Sequence, residues 1–259
     1  MTEHGTESMG KTRLQQRHLV AGLRALILDG DVLPGEALPS SAELGRRYGV
    51  NAVSISRAMS ILEAEGLVDR QKGRGVFATG RRPVVVRASH YPNSSAGQPY
   101  GWIREAAQAG RRGSSELLRV GEIPAPRVVA AVFGIPVGEP VVVRHQLLRL
   151  DDEPAELVWS YYQVEVARGT ALAEHKLITG GSPRVFAELG LPLRNAKDKV
   201  GVRMATKEEI DVLQLPADIP VLRQVRAVFT DGQRPIEVTV MVKAGQQYEV
   251  EYELPAPTS

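Results

Sequence analysis

RYGVNAVSISRAMSILEAEGLV, residues 47–68, contains a turn, a helix-length segment and a stop. Ile55, Met59 and Leu62, with the small Ala58, recur at helical spacing and so share one face of a helix. The opposite face carries Val53, Ser56, Arg57 and Ser60, which are short or polar apart from one long cation. A surface helix with only a structural role fills that side with Glu and Lys pairs. This one is cleared for the close approach of another body.

The flanking sequence supplies the rest of the unit. Leu19, Leu23, Leu26 and Ile27 mark an amphipathic helix from about Lys11 to Gly30, after a short polar start expected to fray. LPGEALPSSAEL (33–44) then forces an extended connector into a second helix, with Ser40 and Glu43 at capping-box spacing. That helix runs to Tyr48 and stops at Gly49; the third opens near Asn51 and closes at Gly66. A short join containing a glycine is the helix-turn-helix arrangement. LVDRQKGRGVFATG (67–80) reads as two strands around the tip Lys72-Gly73-Arg74-Gly75, with Leu67, Val76 and Ala78 turned toward the helices. Residues 9–80 are thus predicted to be a winged helix-turn-helix. Residues 81–97, rich in Pro, Ser, Gly and basic side chains, read as a linker with one apolar run, Val84–Val86, able to contribute a strand.

The remaining chain, 98–255, contains a weak repeat. VVAAVFGIPVGEPVVVRHQLLRLDDEPAE (128–156) aligns with EEIDVLQLPADIPVLRQVRAVFTDGQRPIE (208–237). Pro136 and Pro140 match Pro216 and Pro220 at an offset of 80, and Pro154 matches Pro235 at 81. Each copy reads as a short helix, a turn, a strand, a second turn (Asp151-Asp152; Asp231-Gly232) and a second strand. Two such halves predict an α+β domain with an antiparallel sheet and pseudo-twofold symmetry. A cleft between halves is a natural small-molecule site, although a duplication kept only for folding leaves the same trace.

Composition narrows the classes. The chain has 259 residues, no cysteine and five scattered histidines, which excludes disulfides and thiolate chemistry and offers no metal-ligand spacing. No cofactor or metal is expected. No apolar run is long enough for a membrane span, and MTEHGTESMGKTRLQQ lacks a signal-peptide core, so a cytoplasmic location is expected. Charge is unevenly placed. Residues 1–82 carry 12 Lys and Arg against 9 Asp and Glu, whereas the remainder carries 20 against 21. Arg70, Lys72, Arg74, Arg81 and Arg82 form a basic strip without an acid, a contact for a polyanion or simply a solvated loop.

The ordered elements LPGEALPSSAEL, GVNAVSISRAM, LEAEGLV and QKGRGVF resemble the DNA-binding domain of GntR-family transcription regulators over about residues 15–79. Residues 97–254 resemble, more loosely, the UTRA effector domain of the HutC subfamily, related in fold to chorismate lyase. The resemblance implies a homodimer, most simply a repressor, bound to a palindromic DNA operator and released, or occasionally tightened, by a small-molecule effector. Three arginines usual in the family are replaced by Ala42, Ala52 and Ser56, so the usual operator does not follow. An enzyme is the competing class, yet there is no nucleophile elbow, and GRGVFATG lacks the Lys-Ser/Thr of a P-loop. A DNA-bound protein whose C-terminal domain only dimerises is the third reading.

The residues expected at DNA follow from chemistry. Ser40 and Ser54, with the amides of two helix N-termini, suit phosphates. Ala52 and Val53 suit thymine methyl groups, and Asn51, Ser56 and Arg57 complete that face. At the wing, Lys72, Gly73, Arg74 and Gly75 combine charge with close backbone approach, and Arg74 suits a narrow minor groove. For the effector, the resemblance points to Tyr100, Trp102 and Arg104 as a covering segment, Arg149 and Glu237 on strands, and Tyr161 after the first hairpin. Trp102, Trp159 and Tyr161 read more readily as core aromatics. The family's pattern of two arginines two residues apart is broken here as Gln146-Leu147-Leu148-Arg149, and the glutamate that the family has after the first turn is replaced by Val158. Both readings lower the expectation of a phosphorylated sugar.

Overall fold

The computed structural model describes residues 3–79, 84–87, 101–108, 110–215 and 219–251. The chain divides after Arg82 into two compact units.

The first unit holds α1 (Glu3–Leu28), α2 (Ser41–Tyr48), α3 (Ala52–Ala64) and the antiparallel strands β1 (Val68–Gln71) and β2 (Gly75–Ala78). Helix α1 begins at Glu3, well before the expected Lys11. The core joins Leu19 and Leu23 of α1 to Leu44 of α2 and to Ile55, Ala58, Met59 and Leu62 of α3, closed by Leu67, Val68 and Ala78. The spacing 55, 58, 59, 62 is one helical stripe, and each fully buried leucine contributes about 1.5–3 kcal/mol. Gly49 takes φ +62° to end α2, a left-handed conformation costly for any residue with a Cβ. The connector lies beside the wing: the Leu38 amide donates to the Val76 carbonyl at 2.8 Å, and the Ala78 amide to that of Glu36 at 2.9 Å. Arg24 donates to both carboxylate oxygens of Glu65 from Nε and Nη2, at 2.9 and 2.6 Å, fixing α1 to the end of α3.

The second unit contains β3 (Val84–Arg87), α4 (Gly101–Gln108), β4 (Gly113–Pro124), α5 (Arg127–Phe133), β5 (Pro140–Leu150), β6 (Glu153–Gln163), α6 (Val164–Ala167), α7 (Gly181–Glu188), β7 (Asn195–Met204), α8 (Lys207–Leu213), β8 (Pro220–Phe229), β9 (Pro235–Ala244) and β10 (Tyr248–Glu251). The strand expected within the linker is β3, which pairs in parallel with β10. The main sheet is antiparallel in the order β4-β5-β6-β9-β8-β7. That order is symmetric about the β6/β9 ladder, so each repeat, together with the strand that precedes it, makes one half of the sheet. The outer strands β4 and β7 escaped the sequence reading because they are edge strands, patterned with polar and charged residues rather than apolar alternation.

Alternation along the strands divides the two faces. On one face α5 packs through Val129, Ala130 and Phe133 on Val143, Tyr161, Val225, Val238 and Val240. Leu213, at the end of α8, joins Leu147, Leu157 and Val242. On the other, α6 and α7 cover Val142, Tyr162 and Val228 with Val166, Val185 and Phe186, while Ala106 of α4 meets Leu148 and Val158. The β5–β6 turn carries positive φ at both Asp151 (51°) and Asp152 (69°), matching strand twist. Asp151 is held there by the Arg112 amide at 2.8 Å and Arg111 Nε at 2.7 Å.

Candidate functional site

Helix α3 presents Asn51, Ala52, Val53, Ser56, Arg57 and Ser60 to solvent, with Val53 60% exposed despite its apolar side chain. The expected face is therefore assembled, with two differences. Ser54 is buried, so its hydroxyl lies off the face, and its amide donates to the Asn51 cap at 2.9 Å. Asn51 keeps only its amide nitrogen for another partner. Ser40 is likewise engaged: its hydroxyl donates to Glu43 Oε2 at 2.7 Å in a complete capping box. Those bonds from Ser40 hold the Glu43 carboxyl below its ordinary value. The N-terminus of α2 thus already carries an anion where a phosphate was expected.

The wing adds a contact that the sequence did not reveal. Arg70, on β1, reaches across α3 and donates to the Ser56 carbonyl at 2.8 Å and to Ser60 Oγ at 2.9 Å, with Glu63 at 3.1 Å. Ser56 is one of the positions where an arginine was missing. Its short side chain, and that of Ser60, leave room for a guanidinium from the neighbouring strand, so the cation lies on the same helix face but comes from another element. At the tip, Lys72, Gly73, Arg74 and Gly75 are all exposed, and the Arg74 guanidinium sits 5.6 Å from the centre of the Phe77 ring. Gly73 (φ +76°) and Gly75 (φ +120°) make the turn.

The second unit encloses a cavity of about 250 Å³, the size of a small metabolite. Its floor is the sheet: Arg144 and Gln146 on β5, Ser160 and Tyr162 on β6, and Glu237 on β9. Leu177, Ile178, Ser182 at the start of α7 and Ile103 of α4 complete the walls. Arg144 is 3% exposed and donates to the carbonyls of Ala171, Leu172, Glu174 and Lys176 at 2.6–3.2 Å. Its charge secures the covering loop. Glu237 is 5% exposed and accepts from Tyr162 at 3.2 Å, Ser182 at 2.8 Å and Thr239 at 3.0 Å. Burial pushes its carboxyl above the usual range, and these hydroxyls counteract part of that. Gln146 Nε2 donates to Ser115 Oγ at 2.9 Å.

Of the described residues named for the effector, Glu237 is the one that lines this cavity. Arg149 pairs with Glu116 at 3.1 Å at the surface instead. Tyr161 points to the opposite face among the α5 contacts, where burial raises its phenol to about 12. Arg104 is half-buried on α4, whose Ile103 is the residue at the cavity. Tyr100 lies outside the described residues, and for Trp102 only the α4 backbone is described. The two β5 residues that face the cavity are Arg144 and Gln146, two apart, whereas Arg149, three beyond Gln146, lies at the surface. Val158, read as replacing a glutamate, is a buried neighbour of Leu148. The missed set left a signal: Arg144-x-Gln146 and Ser160-x-Tyr162 are polar residues at period two within otherwise apolar strands.

No described helix is long and apolar enough to cross a membrane. Comparison with known proteins agrees with both units. Residues 15–78 match the model of bacterial regulatory proteins, gntR family, and residues 108–249 match the UTRA domain, more than half of the chain. An uncharacterized HTH-type transcriptional regulator of Streptomyces coelicolor is 26% identical, covering 94% of this chain and 93% of that protein. The HTH-type transcriptional repressor NagR of Bacillus subtilis is 25% identical over 87% of this chain and 88% of its own. A crystal structure of a GntR-family transcriptional regulator superposes with a TM-score of 0.61 at 28% identity, covering 94% of this chain and 98% of that one. PhnF from Mycobacterium smegmatis shares the fold at a TM-score of 0.58 and 19% identity, over 92% of this chain and 100% of that one. The chain therefore belongs to the GntR family of transcription regulators, with a UTRA effector domain.

Proposed function

We propose that the protein is a repressor of the HutC type, which binds a palindromic operator as a homodimer and releases it when a small molecule enters the cavity bounded by Arg144, Tyr162 and Glu237. One winged helix reads only a few base pairs, and two copies on a palindrome multiply affinity through effective concentration. The observation that carries the reading is the α3 face, where Val53, Ser56 and Arg57 stand exposed and Arg70 is laid across Ser56. Val53 suits a thymine methyl group and Arg57 a base edge or phosphate. Lys72 and Arg74 add charge from the wing, and Arg74 enters the minor groove. NagR, 25% identical, is named a repressor, which supports that sign of regulation.

Protection mapping on DNA upstream of the protein's own gene tests the reading, together with light scattering. A symmetric footprint from a dimer, lost on adding a metabolite, is expected. A monomer with a one-sided footprint, or no preference over random duplex, overturns it.

A further inference from the structure

The duplication gives this sheet two copies of one polar arrangement, one open to the cavity and the other closed by an ion pair. The offsets of 80 and 81 residues relate Arg144 to Gln224, Gln146 to Arg226, Glu156 to Glu237 and Tyr162 to Lys243. The structure bears out the relation. Glu156 faces Lys243 across the β6/β9 ladder, and Tyr162 bonds Glu237 across the far end of the same ladder.

The closed copy carries its own cation. Lys243 Nζ lies 2.6 Å from Glu156 Oε2 with both side chains at most 4% exposed, and 4.9 Å from the centre of the Tyr248 ring. Beside it, Arg226 grips Asp198 at 2.8 and 2.6 Å, and Gln224 donates to the same carboxylate at 2.8 Å. A buried carboxylate is stable when a cation meets it, and here the chain provides that cation.

Among the described residues, the open copy has the carboxylate without a cation paired to it. Where the repeat relation calls for an ammonium, the chain has Tyr162, and Glu237 meets hydroxyl groups among the described residues. The cation among the cavity residues, Arg144, is directed to four backbone carbonyls. A phosphate or carboxylate entering would lie against the Glu237 carboxyl, which offers it no cation. A protonated amine would complete the copy.

We infer that the effector carries an aliphatic ammonium group, which docks on Glu237 between Tyr162 and Ser182 as the Lys243 ammonium docks on Glu156. The inference rests on the effector reading above. Its carbon body lies against Ile103, Leu177 and Ile178, and a hydroxyl on that body reaches Gln146 or Ser115.

Four ring-matched probes test it: trans-4-aminocyclohexanol, cyclohexane-1,4-diol, 4-hydroxycyclohexanecarboxylate and cyclohexyl phosphate. Binding to the full-length protein is measured by ligand-observed NMR titration and thermal shift, with operator binding followed by fluorescence anisotropy. The amine is expected to bind at least tenfold more tightly than the diol and both anions. Glu237→Gln should erase that preference. Tyr162→Lys, which builds the closed arrangement into the open copy, should abolish amine binding in a folded protein. An anion as the tightest probe, or amine binding unchanged in both variants, overturns the ammonium assignment and leaves the effector reading standing. Absence of binding by all four also overturns the assignment. If operator binding then resists every added metabolite, the effector reading falls as well.

Discussion

The Arg70 guanidinium lies 2.8 Å from the Ser56 carbonyl, so the base of the wing is fastened to the exposed face of the recognition helix α3. This places a cation over a position where an arginine on the helix itself was expected. Arg70→Ala should weaken operator binding about tenfold or more and lower the salt slope by about one, as loss of one arginine contact does. Arg74→Ala should weaken it by a similar factor. Ser56→Arg alone should not improve affinity, because the new side chain collides with Arg70. Combined with Arg70→Ala, it should recover most of the loss. Anisotropy titrations over a salt series check this, and simple additivity of the two substitutions would refute the shared-position account.

Such an exchange between elements explains what could be read from sequence. The helices, the wing and the two hairpins are local, and their caps, turn residues and apolar stripes lie within a few residues of one another. Ser40 with Glu43 announced a helix start, and the matched prolines announced the repeat. The partner of Ser56 lies 14 residues away on another element, and nothing in the α3 sequence names it. The cavity was harder still. Its polar residues come from β5, β6, β9 and α7, and whether Arg144 or Arg149 faces inward depends on strand register. A register shift between Leu148 and Arg149 alters the alternation there, so counting along the strand from the turn misplaces the inward pair.

Stability of the first unit should depend on Arg24. Its partner Glu65 has a side chain 1% exposed, so Arg24→Met leaves a buried carboxylate unpaired. Removal of one partner of a buried pair costs about 3–5 kcal/mol, whereas replacing both with apolar residues costs far less. Urea denaturation of Arg24→Met, Glu65→Met and the double variant is expected to show the double variant above Arg24→Met. A double variant no more stable than Arg24→Met would mean that the pair is not buried as described.

Gly245 marks a close backbone approach in the second unit. A Cβ there would stand 2.2 Å from the carbonyl oxygen of Pro220, where β8 begins, and that oxygen is main chain and cannot swing away. Gly245→Ala should therefore cost about 1–3 kcal/mol, the usual range for overpacking. Gly201→Ala on the edge strand β7 meets nothing within 4 Å and serves as the control, expected to be neutral or slightly stabilising. Equal denaturation midpoints for the two variants would remove the steric argument.

The pH dependence of stability should have two opposed contributions, separable by substitution. His145 stacks on Trp159 with ring centres 4.4 Å apart, and burial, with the nearby Arg119 charge, lowers its pKa from the usual 6.5 to about 4. The folded state therefore binds fewer protons at this group than the unfolded chain, and its contribution is lost as pH falls from about 6.5 toward 4. Glu237 has the opposite sign. Burial raises its carboxyl, so the folded state holds a proton longer, and stability is lost as pH rises from the ordinary carboxylate range through the raised value. His145→Phe, which keeps the stack, should flatten the acid side of the curve, and Glu237→Gln the alkaline side. Urea unfolding between about pH 4.5 and 8 measures both. Curves for His145→Phe and the parent that stay parallel below pH 6.5 would show that the imidazole is not held neutral by burial.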